Sequence, residues 1–333
     1  MKNRENETKK TIFSGIQPSG LLHLGNYLGA ITQWLELQEQ YHCIFCVVDY
    51  HAITVKQDPK KLGQQILDLV KIYLASGIDP DKSVIFQQSD ISAHTELAWI
   101  LNCLARKADL NKMTQFKEKA GNHKESVSVG LYDYPILMAA DILLYDTDAV
   151  PVGEDQAQHV ELARTLAQRF NREYGQVFKI PEVIIRKQGA RIMGLDDPTK
   201  KMSKSATSSA NYIALTDPAE IAAQKIKRAV TDSGKEIKYD KEKKTAISNL
   251  LTIYSLLSSV TIKELETSYQ GKGYSEFKND LAKVVSQFLI KLQNKFDSFT
   301  NGEIKKILHE GAAKVRPRAE ATLKRAKEKL GIN

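Results

Sequence analysis

A chain of 333 residues with 42% hydrophobic and 26% charged side chains is long enough for one large domain or two ordinary ones and falls outside the disordered and fibrous classes. Its 48 Lys and Arg against 40 Asp and Glu leave a formal +8, which permits a polyanionic partner without demanding one. The first ten residues are unlike a secretory signal or an acid-poor transit peptide, and no window approaches the roughly 20 apolar residues of a membrane span, so a soluble cytoplasmic protein is expected.

In chain order, residues 11–16 read as a strand and residues 23–41 as a helix. Residues 43–49 read as a second, buried strand. It contains Cys43 and Cys46 in a C-x-x-C, but only Cys103 remains elsewhere, too few thiolates for a four-cysteine site, so both are expected in the core and no metal centre is expected. A helix over 59–75, a strand over 83–88 and a helix through 98–101 follow. This β-α-β-α alternation predicts an α/β fold, an open, doubly wound parallel sheet with helices on both faces and ligands beyond the carboxyl ends of the strands. Residues 149–152 read as another strand, leading through Gly153-Glu-Asp-Gln156 into a helix to about Phe170. After Lys200 the pattern turns to a Ser-rich loop and then to helices, which places a boundary between an α/β domain, 11–206, and an all-helical domain, 207–333. Asp217 is expected as an N-cap, with Pro218 at the first helical position and Glu220 closing the capping box. From residue 301 the tail carries nine Lys or Arg against four Glu, either a solvated helix face or a surface for a polyanion.

Two segments carry chemistry. The first strand empties into Gln17-Pro-Ser-Gly-Leu-Leu-His-Leu-Gly-Asn26, where Pro18 and Gly20 force a turn and Gly25 lets a charged or flat ligand approach a helix N-terminus beside His23. Neither a G-x-G-x-x-G nor a G-x-x-x-x-G-K-S/T string occurs, which disfavours a dinucleotide dehydrogenase or a Walker-type hydrolase. At the far end of the α/β half, Lys200-Lys-Met-Ser-Lys-Ser205 puts three ammonium groups and two hydroxyls on one loop. Such a loop suits a phosphate chain whose charge is neutralised as a reaction proceeds.

Together the two segments resemble the signatures of class I aminoacyl-tRNA synthetases. Further blocks, Met113-Thr-Gln-Phe-Lys-Glu-Lys119, Leu137-Met-Ala-Ala-Asp-Ile-Leu-Leu-Tyr145, Val150-Pro-Val-Gly-Glu-Asp-Gln156, Gly189-Ala-Arg-Ile-Met193, Ile247-Ser-Asn-Leu-Leu251 and Gly271-Lys-Gly-Tyr274, make nearly the whole chain similar to bacterial-type tryptophanyl-tRNA synthetases. The resemblance implies a Rossmann-like catalytic domain, ATP-dependent activation of L-tryptophan to tryptophanyl-adenylate, and transfer to tRNA(Trp) by a homodimer with its helical half on the anticodon. It implies that Asp141 accepts the indole N–H, that Phe13, Tyr134, Met138, Val150 and Val152 line the ring, and that His51 and Gln156 stand near the amino acid. Tyr134, Met138 and Asp141, spaced i, i+4, i+7, share one helix face.

For ATP it implies Gln17, Pro18, Ser19, His23, Gly25 and Asn26 at the first turn. Gly153, Glu154 and Asp155 are expected on the ribose and Ile192 against the adenine. Lys201, Met202, Ser203, Lys204 and Ser205 form the mobile loop. Lys119, Lys201 and Lys204 are the expected catalytic cations on the departing pyrophosphate, with Mg²⁺ arriving on the nucleotide. Asn26 stands where many class I enzymes carry a second His, and Tyr50 and Gly194 stand where relatives are expected to differ. A tyrosyl enzyme, a nucleotidyltransferase with a small-molecule acceptor and a non-catalytic RNA-binding paralogue are the competing readings.

Overall fold

The computed structural model describes residues 9–18, 20, 22–113, 128–153, 156–185, 191–204, 206 and 208–332. Five strands, β1 (Thr11–Ile16), β2 (His42–Val47), β3 (Ser83–Gln87), β4 (Ala149–Val152) and β5 (Glu182–Ile185), form one sheet in the order β3-β2-β1-β4-β5. Every pairing is parallel. The helices that carry the chain between them are α1 (24–40, with a π-helical stretch at Tyr27–Ile31), α2 (Asp49–Ala52), α3 (Pro59–Ser76), α4 (Ala93–Leu104), α5 (Lys107–Asn111), α6 (Val129–Leu143) and α7 (Ala157–Tyr174). After the sheet come α8 (Ala219–Arg228), α9 (Thr245–Ser258), α10 (Ile262–Ser268), α11 (Tyr274–Ser298) and α12 (Asn301–Leu330).

A parallel strand covered on both faces must be apolar along its whole length, and alternate residues then enter opposite cores. In β1 and β2, Ile12, Cys43, Phe45 and Val47 enter one apolar cluster while Phe13, Ile44 and Cys46 enter the other. Cys43 and Cys46 are three residues apart, so the pleat puts them on opposite sides of the sheet. Burial pushes the Cys43 thiol up to about 12 and Cys46 well above its usual range, which leaves both as inert core residues. The first cluster centres on Trp34, stacked on Phe45 at 4.3 Å and edge-on to Tyr73 at 5.1 Å. It continues into the helical part through Leu215, Ile247, Phe277 and Leu308.

Two sequence expectations are corrected. β5 was not foreseen: it is a four-residue strand at the edge of the sheet that opens on Glu182. Asp217 does not cap α8, because Pro218 is itself still extended (φ −52°, ψ 140°) and the helix begins at Ala219. The Asp217 carboxylate instead accepts from Ala214 N–H at 3.0 Å and from Lys225 Nζ at 2.7 Å.

The long last helix lies along the edge strand β3. A Cβ at Gly311 would collide with the Ile85 carbonyl of β3, so only glycine permits this approach. Several of the basic residues in the tail hold the same helix to neighbouring parts of the α/β body. Arg325 reaches Asp146 at 2.8 Å and Arg318 reaches the same carboxylate at 3.9 Å. Arg316 donates to Asp90 O at 2.8 Å, and Lys327 pairs with Glu96. These four cations are neither simply solvated nor turned to a distant partner.

Candidate active site

The direction of strand addition reverses at β1: β2 and β3 extend the sheet on one side, β4 and β5 on the other. Loops leaving the carboxyl ends of β1 and β4 therefore part, and open α/β sheets bind ligands in that crevice. A cavity of about 380 Å³ lies there. Residues 13–17 from the end of β1 and 150–153 from the end of β4 form two walls, and α6 closes a third. Phe13, His51, Tyr134, Met138, Asp141, Val150, Val152 and Gln156 all line this one cavity, together with Gln17 and Gly153.

Asp141 is almost completely buried, and its surroundings explain how a carboxylate survives there. Oδ1 accepts from Gln88 Nε2 and from His94 Nδ1, each at 2.7 Å; Oδ2 pairs with His51 Nε2, also at 2.7 Å. Burial pushes the carboxyl up, but His51 and the hydrogen bonds from His51 and His94 outweigh it and hold the group well below the usual carboxylate range. Behind it, Tyr145 Oη lies 2.8 Å from His94 Nε2. Burial keeps the Tyr145 hydroxyl protonated, and a hydroxyl donating to Nε2 leaves the ring proton on Nδ1, where it faces Asp141. A carboxylate offers about four acceptor positions. Among the described residues three are occupied, so one remains, on Oδ2 beside His51.

Gln88, His94 and Tyr145 were not singled out from the sequence as site residues. Gln88 stands at the end of β3, a position where ligands approach such sheets, and that was the available signal. Tyr50, noted as a departure, does not line the cavity. Its backbone N–H donates to Gln88 Oε1 at 3.1 Å, a contact any side chain at 50 allows.

The first turn borders the cavity through Gln17. Gly20 has φ +84°, a conformation that favours glycine, and Lys204 Nζ rests against it where a Cβ would stand. His23 N–H donates to Asn26 Oδ1 at 3.0 Å as the helix starts. The His23 side chain is buried, its Nδ1 has no hydrogen-bond partner among the described residues, and Met202 packs close to Gly25 beside it. Burial, reinforced by Lys201 and Lys204, pushes the His23 imidazole down to about 4, so at neutral pH it is uncharged. The fold thus brings the first turn and the lysine loop together across about 180 residues of chain. Ile192 and Met202 are buried in the apolar cluster and do not line the cavity. Ser19, Lys119, Glu154, Asp155 and Ser205 lie outside the described residues.

Residues 5–290 match the family model of the tRNA synthetases class I (W and Y). The chain belongs to this family. It is 51% identical over 324 residues to the tryptophan–tRNA ligase of Helicobacter pylori, covering 97% of this chain and 99% of that protein. Among solved structures, the tryptophanyl-tRNA synthetase of Mycoplasma pneumoniae superposes with a TM-score of 0.91 at 37% identity, covering 98% and 99% of the two chains. A Campylobacter jejuni tryptophanyl-tRNA synthetase, solved in complex with ADP and tryptophan, superposes at 0.82 with 37% identity and covers 97% and 100%. In this chain the crevice adjoins the first turn through Gln17, and the lysine loop meets that turn at Gly20 and Gly25.

Proposed function

We propose that the chain is a tryptophan–tRNA ligase that activates L-tryptophan with ATP and transfers it to tRNA(Trp). The observation that carries the reading is the single remaining acceptor position of Asp141 at the wall of an otherwise largely apolar cavity. An indole offers one N–H and a broad apolar face, and such a wall satisfies both. Likeness to the relatives named tryptophan–tRNA ligase supports it.

In the first step a carboxylate oxygen of tryptophan bonds to the α-phosphorus of ATP, and the bond from that phosphorus to the α,β-bridging oxygen breaks, releasing pyrophosphate. No side-chain nucleophile is required, so orientation and charge stabilisation carry the rate. Phe13, Tyr134, Met138, Val150 and Val152 hold the ring, Asp141 orients it, and His51 and Gln156 flank it. Gln17, Gly25, Asn26 and Gly153 are assigned to the nucleotide. Lys201 and Lys204 are assigned to the charge that develops on pyrophosphate, with His23 as a neutral donor or acceptor. Mg²⁺ bound by the triphosphate would lower its charge on entry. Among the described residues no group of three metal-ligating side chains gathers, and the lysines and amides present suit an ion brought by the nucleotide's own oxygens and water.

The working unit is assigned as a homodimer. Trp99 and Val129 are 71% and 79% exposed, and Ile53 is exposed as well. Asn102, one turn beyond Trp99, bonds Asp133 of α6, and Ser128 at the head of α6 bonds Thr54 O, so these apolar residues gather on one face fit for a second copy. No single described helix is long and apolar enough to cross a membrane; free Cys43, Cys46 and Cys103 accord with a reducing cytoplasm. ATP–pyrophosphate exchange driven in turn by tryptophan, tyrosine and phenylalanine tests the assignment. Exchange with tryptophan alone is expected, and exchange with tyrosine in its place overturns it.

A further inference from the structure

The lysine loop is one arm of a small hairpin. Met202 N–H donates to Ile192 O at 2.9 Å and Gly194 N–H to Lys200 O at 2.8 Å, with Met193 opposite Lys201. Two buried amide side chains grip this hairpin from outside. Asn249, on α9, accepts the Met193 N–H on Oδ1 at 2.9 Å and donates Nδ2–H to Met193 O at 3.0 Å, pairing with one residue as a neighbouring strand would. On the other arm, Asn211 accepts the Ser203 N–H at 3.1 Å and donates to Asp196 Oδ1 at 2.5 Å, while its backbone carbonyl takes the Leu195 N–H at 2.9 Å. Their exposures are 6% and 3%. A Cβ at Gly194 would collide with Asn211 Nδ2, which gives a physical reason for the glycine noted as a departure in the sequence. Val230 N–H also donates to Leu195 O, at 2.8 Å.

Asn249, Asn211 and Val230 all follow the hairpin in sequence, and α9 belongs to the helical part. Asn249 also falls in the 247–251 segment, which the family likeness singled out without a role. Buried amides that satisfy specific backbone groups fix geometry more sharply than apolar packing does, since a displaced partner leaves a polar group unpaired. We propose that Asn249 and Asn211 are positioning residues: Asn249 fixes the hairpin, and with it Lys201, relative to α9, and Asn211 fixes the Ser203–Lys204 end of the same arm, so that the chain that follows the hairpin is the frame from which the lysines reach the first turn. The proposal rests on the reading that these lysines act on the departing pyrophosphate.

Asn249→Ala and Asn211→Ala in the full chain, assayed by tryptophan-dependent ATP–pyrophosphate exchange, test it. A displacement of catalytic groups by about 1 Å lowers rate by about a hundredfold, so kcat should fall by about tenfold to a hundredfold while the KM for tryptophan stays within about twofold. In a Lys201→Ala, Lys204→Ala background the same substitutions should cost nothing further, because they act through the removed groups. A full additional loss in that background, or a loss that merely follows the folded fraction in a thermal melt, overturns the proposal. Should Asn249→Ala not fold, Asn249→Asp keeps the acceptor for Met193 N–H, sets a carboxylate oxygen against Met193 O, and should give the same kinetic split. An inactive wild-type chain would overturn the functional reading instead. Trypsin cleavage after Lys200 and Lys201 then decides the positioning claim: faster cutting in both variants at an unchanged melting point supports it, and unchanged cutting refutes it.

Discussion

Replacing Asp141 by Asn isolates the one acceptor that the site reading depends on. Gln88 Nε2 and His94 Nδ1 both donate to Oδ1, so the amide oxygen of the variant must take that place and its nitrogen the place of Oδ2. His51 Nε2, 2.7 Å from Oδ2, meets the new N–H by carrying its ring proton on the other nitrogen, and all three contacts survive. What changes is the fourth position, where a ligand N–H now faces an N–H. A hydrogen bond to a charged group contributes about 1.5–3 kcal/mol, so kcat/KM for tryptophan should fall about 10- to 150-fold. An analogue with sulfur in place of the indole N–H should be nearly unaffected. ATP–pyrophosphate exchange with both substrates measures the ratio, and the ATP KM should stay within about twofold. A variant that keeps the wild-type preference for tryptophan, or that loses both substrates equally, refutes the assignment of Asp141 to the ring nitrogen.

Acid should weaken the fold through His23. Its imidazole falls from the usual 6.5 to about 4 on folding, so between those pH values the unfolded chain binds the extra proton and stability drops as pH falls. The arithmetic gives about 2 kcal/mol lost between pH 7 and pH 5. His23→Asn should remove that slope from urea midpoints, and an unchanged slope would show that His23 titrates normally. Gly311→Ala should lower stability by about 1–3 kcal/mol by lifting α12 from β3; a neutral melt would contradict the close approach. Tyr145→Phe leaves the buried His94 Nε2 without its partner and should cost about 1–3 kcal/mol in urea unfolding. Arg325→Ala should reduce thermal stability while leaving tRNA affinity nearly intact, and the reverse pattern would return that arginine to the RNA surface.

Much of the fold was legible because buried parallel strands announce themselves as short apolar runs between turn residues, and β1 to β4 do so. β5 does not: it is short, lies at an edge, opens on a charged residue and so lacks the run. The first turn and the lysine loop were legible because glycine, histidine and clustered lysine at those points have few structural uses. Gln88, His94 and Asn249 were not, although each is buried and hydrogen-bonded. His94 meets Asp141 across 47 residues and Asn249 meets Met193 across 56. A lone polar residue on an amphipathic helix gives no local sign of such a partner. The cap assigned to Asp217 failed for a local reason: Pro218 is still extended, so the helix begins one residue later, at Ala219.

The charge surplus acquires a structure of its own. Of the nine cations after residue 301, Arg316, Arg318, Arg325 and Lys327 face the sheet body. Two arginines on one partly buried carboxylate form a joint that a phosphate backbone cannot take over without detaching the helix. Lys306 and Lys324 are different: each lies 3.8 Å from a glutamate one turn on, both about three-quarters exposed. Exposed i, i+4 pairs contribute about 0.3–0.5 kcal/mol, so a polyanion displaces them at little cost. Any tRNA contact along α12 therefore falls to the outward lysines. Its salt dependence, set by the number of phosphates neutralised, should count those lysines rather than the full basic tail.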